Sequence, residues 1–166
     1  MSESSAPVHP RAFRLYLALV VLAAAAGYAL LTPGAGAARP FALGVVLVLM
    51  VVSEVRPVAL PSGGYATGSA VIDLASIIIL GPVWTAWVDL VSTVVVQGVL
   101  LRKPAVRVLH NVSIFGLTTL AAGYAFVLAG GTVGELAFPR DIAPLLVCGG
   151  LYFLFNSAFV SVVLGL

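Results

Sequence analysis

The sequence predicts an all-α, polytopic membrane helix bundle of about six transmembrane segments, one of them short or broken. Three observations lead there. Hydrophobic residues make up 61% of the chain and charged residues only 8%, where a soluble domain keeps about a quarter of its residues charged. Such a chain cannot cover itself with polar surface, so the lipid bilayer is its expected solvent and first partner. The apolar residues also fall into six runs bounded by proline, glycine and basic stops. Lysine and arginine, finally, divide unevenly between the turns that these runs define.

Residues 1–12 read as a polar cytoplasmic tail and 13–166 as one membrane domain. The first segment covers 13–31 and closes at Thr32-Pro33-Gly34. Arg11 and Arg14 before it, and ALLTPGAGA at its end, also fit a cleaved leader ending near Ala35 or Ala37; a retained helix fits the charge pattern better. The second segment, 40–52, stops at Ser53-Glu54-Val55-Arg56-Pro57. The third, 66–80, is the weak one: it reaches about 22 Å, short of a core roughly 30 Å thick. Before it lies LPSGGYATGS, which reads either as irregular backbone shielded by protein or as an ordinary loop beside a thinned bilayer. GGYATGS lacks the Gly-Lys-Ser/Thr ending of a phosphate loop.

The fourth segment, 82–101, begins with proline, carries Trp84 and Trp87 where an outer aromatic belt would lie, and stops at Arg102-Lys103-Pro104. The fifth, 108–128, stops at Gly130-Gly131. The sixth, 142–166, follows Asp141, a candidate N-cap, and has no basic or tryptophan anchor at its end. The natural polypeptide is therefore expected to continue into a basic juxtamembrane stretch and a cytoplasmic domain. Six spans from a cytoplasmic N-terminus put Arg11, Arg14, Arg56, Arg102, Lys103 and Arg107 inside, and only Arg39 and Arg140 outside. Both termini are then cytoplasmic.

The polar residues within these runs are the candidate site. Asp73 and Asp89 stand eight residues before and after Gly81. In a tight helical hairpin both would sit about 12 Å below the outer turn, at matching depth. An aspartate facing mid-bilayer lipid costs roughly 2.5–3.5 kcal/mol, so both should face the bundle interior. No lysine or arginine shares their layer. They are expected to be protonated, to bond Ser76, Thr85, Ser92 or Thr93, or to bind a cation or amine; neutral packing is the plainer reading. A second layer holds Gln97, His110, Asn111, Ser113, Asn156 and Ser157. Interhelical hydrogen bonds of about 0.6 kcal/mol each are its structural reading. Asp73, Asp89, Gln97, Asn111 and Asn156 are the ligand-binding or proton-sensing candidates. His110 reads as a proton sensor or an interface residue.

No metal site, cofactor or catalytic residue is expected. The single cysteine, Cys148, excludes an intrachain disulfide and reads as a packed thiol. One histidine in the apolar segments cannot form a metal site, and no serine or cysteine has a plausible base beside it. A net charge of +2 gives no reason to expect nucleic acid.

The run LPSGGYATGSAVIDLASIIILGP, the basic RKPAVRVLHNVS, AAGYAFVLAGG and YFLFNSAFVSVVL together resemble the N-terminal multi-span region of bacterial HD-GYP and GGDEF cyclic-di-GMP signalling proteins. The similarity covers roughly 14–166, nearly the whole chain. It implies a sensory or anchoring module in a bacterial cytoplasmic membrane, coupled to a cytoplasmic output domain whose residues are absent here. A weaker resemblance is to the substrate-binding membrane components of vitamin uptake transporters. An accessory subunit among other membrane subunits, with homo-oligomerisation open, is the remaining expectation.

Overall fold

A computed structural model of the chain describes residues 10–56, 58–59, 65–66 and 68–165. It is a six-helix bundle: α1 (Pro10–Leu31), α2 (Pro40–Val55), α3 (Ser69–Leu80), α4 (Pro82–Thr93), α5 (Ala105–Leu128) and α6 (Ile142–Gly165). Val58–Ala59 (β1) and Tyr65–Ala66 (β2) form a minimal antiparallel pair between α2 and α3. Most of LPSGGYATGS lies outside the described residues, and with it the choice between a shielded and an ordinary loop.

Four stretches are long and apolar enough to cross a membrane: Arg11–Gly34, Pro82–Leu100, Ala105–Leu128 and Ile142–Val162. The other two helices are shorter. With 16 and 12 residues, α2 and α3 rise about 24 Å and 18 Å. Two helices are therefore short, where the sequence suggested one.

Local chemistry explains the boundaries. Proline opens α2 and α4, where a missing N–H costs nothing. Gly81 alone separates α3 from α4. Its φ of 83° lies in the region that favours glycine. Its N–H bonds the Ile77 carbonyl at 3.0 Å, closing α3, and its carbonyl accepts from Thr85 N–H at 3.1 Å, opening α4. A one-residue turn fixes the two helices in register. At its far end α4 widens into a π-helical segment, Val94–Leu100.

Half of the α4 and α5 spans is buried, against 17% of α1 and 11% of α6, so α4 and α5 form the centre. Glycines permit the closest approaches. A Cβ on Gly123 of α5 would lie 2.5 Å from Pro82 Cβ, and one on Gly116 would collide with the Tyr28 hydroxyl of α1. Three apolar clusters surround this centre: Tyr28 with Val83 and Leu120, Ile77 with Phe126 and Cys148, and Met50 with Leu80 and Val88.

Arg39 and the 130–141 loop lie at one end of the bundle. There Arg39 reaches the Ile79 carbonyl at 3.3 Å, and Gly134 N–H reaches the Ile78 carbonyl at 2.6 Å. Arg56, Lys103 and Arg107 border the turns at the other end. The two are called the Arg39 end and the Lys103 end below.

Candidate functional site

The inward face of α4 and the π-helical segment that follows it is largely polar in its Lys103-side half. Asp89, Ser92, Thr93, Val96 and Gln97 follow helical spacing and are all buried. This inverts the usual soluble pattern and suits a helix whose outer surface meets lipid.

The Gly81 turn brings Asp73 of α3 opposite Asp89. Both are buried, at 3% and 1% exposure. Their carboxyl groups lie within hydrogen-bonding range of one another. Two carboxyl groups can bond only when one carries a proton. Each uses a second contact from a more distant helix: Tyr152 of α6 donates its hydroxyl to Asp73, and Thr119 of α5 donates to Asp89 Oδ2 at 2.5 Å. The remaining oxygens, Asp73 Oδ1 and Asp89 Oδ1, have no donor among the described residues.

These partners differ from the expected ones. Ser76 and Thr85 donate instead to the carbonyls four residues back, Ile72 at 2.6 Å and Gly81 at 2.9 Å, and Ser92 donates to Asp89 O at 3.2 Å. Hydroxyls inside helices are drawn to such carbonyls. Thr93 Oγ1 is buried without any partner among the described residues.

The sequence reading passed over a third acid. Glu54, in the last turn of α2, lies within hydrogen-bonding range of Gln97 and Ser92, and within electrostatic range of Asp73 and Lys103. It read as part of a polar exit from the membrane. Its signal was present, because Val46, Met50 and Glu54 share one helix face, and the first two are buried.

Gln97 and Asn111 do meet: Asn111 Nδ2 donates to Gln97 Oε1 at 2.6 Å. Asn111 Oδ1 lies 3.3 Å from His110 Nδ1, and Tyr16 Oη lies 3.2 Å from His110 Nε2. His110 is thus buried, with Tyr16 of α1 against its ring. Asn156 stays apart. It is half-buried on α6 and makes no side-chain hydrogen bond among the described residues.

Asp141 also departs from expectation. Its Oδ2 accepts from Ala137 N–H at 2.6 Å and its Oδ1 from Arg140 at 3.0 Å, so the carboxylate folds back onto the preceding loop rather than capping α6. The Ala137 N–H, and then Arg140, hold its pKa below the ordinary 3.8.

Separately, a cavity of about 480 Å³ opens at the Arg39 end, lined by Arg39, Gly81, Trp84, Tyr124 and Val133 among others. Among the described residues no group of three His, Cys, Asp or Glu side chains is arranged to hold a metal ion. Comparison with protein families, curated proteins and solved structures finds no match to this chain. The all-α membrane bundle and its buried acids therefore stand on the chain's own physics.

Proposed function

We propose that this chain is a membrane-embedded sensory and anchoring module in which the state of the Asp73–Asp89 pair sets the position of α6. The observation that carries the reading is the Tyr152 hydroxyl bonded to Asp73. The helix α6 is peripheral and packs chiefly along α5. Tyr152 links it directly to an ionisable group at the bundle's centre. A change of charge or occupancy at Asp73 alters that bond, and α6 passes the change toward the Lys103 side, where a cytoplasmic output domain or partner subunit would read it. Such a link is a coupling between a site and a movable element, as a switch requires.

The test is a pair of spin labels, one near the Lys103-side end of α6 and one on α5, with the protein in lipid. Asp73→Asn and Tyr152→Phe should both shift the distance distribution relative to wild type. Unchanged distributions in both folded variants would sink the reading.

A second reading, a solute-binding component of a transporter, draws on the cavity at the Arg39 end. Its volume lies within the range of small-ligand pockets. Solute-dependent protection of a cysteine introduced at Tyr124 would favour it.

A further inference from the structure

We propose that the Asp73–Asp89 pair is a proton-binding site reached from the Lys103 end along an oxygen-lined track made by Glu54, Gln97, Ser92 and Thr93. This deepens the sensory reading by naming its ligand, and rests on that reading only for the consequence at α6.

The track follows from depth and burial. Counted from Gly81, Asp73 and Asp89 lie about 12 Å below the turn, Ser92 and Thr93 about 16–18 Å and Gln97 about 24 Å, while Glu54 lies about 21 Å from the start of α2 at the same end. Oxygen-bearing side chains thus descend by about one helical turn at a time toward Lys103. Glu54 borders this descent: it lies near Gln97 and Ser92, and interacts electrostatically with Asp73 and Lys103. Above the pair, toward Arg39, Ile77, Leu80 and Val83 are buried, and the buried hydroxyls of Ser76 and Thr85 are spent on carbonyls four residues back. Access is therefore one-sided.

An acidic cluster alone would not define a site. The independent observation is Thr93. Its side chain is 0% exposed, lies one helical turn from Asp89 on the same face, and its hydroxyl has no partner among the described residues. A threonine inside a helix ordinarily satisfies its hydroxyl on a carbonyl one turn back. This one is left free among the described residues, as is one oxygen each of Asp73, Asp89 and Glu54.

A proton suits these oxygens better than a metal cation. A hard cation needs about six oxygens around it, and among the described residues no three His, Cys, Asp or Glu side chains are placed to ligate one. Two carboxyl groups facing each other instead share one proton and one negative charge. Uptake of a second proton neutralises the pair: the proton leaves the Glu54 carboxyl for an Asp73 or Asp89 oxygen, and water at the Lys103 end reprotonates Glu54. The groups facing the pair are Tyr28 of α1, Glu54 of α2, Thr119 of α5 and Tyr152 of α6. None is a cation. Lys103 acts on Glu54.

The experiment is infrared difference spectroscopy on the full chain in sealed vesicles of known protein orientation, following the carbonyl stretch of protonated carboxyl groups after a pH step on one side. A step on the Lys103 side should change this band, and a step on the Arg39 side should not. Asp73→Asn and Asp89→Asn should each remove or shift it. Glu54→Gln keeps the size and shape of Glu54 but cannot carry the proton. It should leave the band and slow its response about tenfold, equivalent to about 1.4 kcal/mol on the barrier. Glu54→Asp should recover part of the rate. The proposal is overturned by equal response from the Arg39 side, by an unchanged rate in Glu54→Gln, by the absence of a titrating band, or by a band that follows sodium at constant pH. Spin-label distances at α6 are a separate readout. A titrating band with an unmoved α6 would leave the proton site standing and remove the sensory reading.

Discussion

At the scale of single residues, the glycines separate packing from open surface. Gly123 lies against Pro82, where an added Cβ would meet the Pro82 Cβ at 2.5 Å and its Cα at 3.0 Å. A proline ring cannot swing aside, so α4 and α5 would have to part. Gly123→Val should cost about 1–3 kcal/mol, the usual range for overpacking. Gly150 has nothing within 4 Å, and Gly150→Ala should stay within about 0.5 kcal/mol of wild type. Unfolding in lipid–detergent mixtures checks both, and equal stability of the two variants would refute the close packing at Pro82. Asp141 gives a pH prediction. Its pKa is depressed by the Ala137 N–H and Arg140, so its contribution is present above the unfolded value. It fades as pH falls below the ordinary 3.8 toward the folded one. Proteolysis of the 130–140 loop should therefore rise on acidification in wild type. In Asp141→Asn it should already be raised at neutral pH and depend less on acid.

At the scale of elements, legibility depended on whether one helix or several fixed a residue's place. The depth of Asp73 and Asp89 was readable because a Gly-Pro hairpin sets it by counting residues from one turn. Their partners were not readable. Tyr152 lies on α6, which is apolar on every side, so no periodic stripe reveals which face turns inward. Thr119 shares α5 with several other buried polar residues, including Ser113 and Thr118, and only packing selects it. Glu54 was hidden by its neighbours Arg56 and Pro57, which look like an exit from the membrane. The π-helical segment likewise has no signature in VVVQGVL. It matters nonetheless, because it ends α4 with Leu101 N–H on the Val96 carbonyl and Lys103 N–H on the Gln97 carbonyl, both at 2.8 Å. Such segments frequently occur at functional sites. Gln97 joins this segment to Asn111 of α5 by a hydrogen bond and lies near Glu54 of α2. Gln97→Leu should lower stability by about 1 kcal/mol, within the range measured for interhelical bonds in membranes. Together with Asn111→Leu it should be less than additive, since the two share one bond. Full additivity in a double-mutant cycle would show that the pair contributes nothing.

At the scale of the whole molecule, the central question is how a bundle with four long helices and two short ones sits in a bilayer. Helices of 16 and 12 residues fall short of a hydrocarbon core roughly 30 Å thick. Both pack on the central α4, and on each other, so α2 and α3 need not face lipid along their full length. The charge distribution argues that all six helices still alternate in direction: six of the eight cationic residues gather at the N-terminus and Lys103 end, leaving Arg39 and Arg140 opposite. The indoles agree, since Trp84 Nε1 donates to Gly36 O at 2.9 Å and Trp87 Nε1 to Thr32 Oγ1 at 3.0 Å, anchoring α4 at the Arg39 end. Single cysteines introduced at Arg39 or Arg140 should therefore react with an impermeant thiol reagent from outside the cell, and those at Arg56 or Lys103 only after the membrane is opened. Cys148 is 2% exposed and should stay silent, giving a clean background. If Lys103 and Arg140 labelled from the same side, α5 would not cross, and Asp89 and Thr119 could not meet across antiparallel spans. The topology and the buried carboxyl site thus stand or fall on the same crossing.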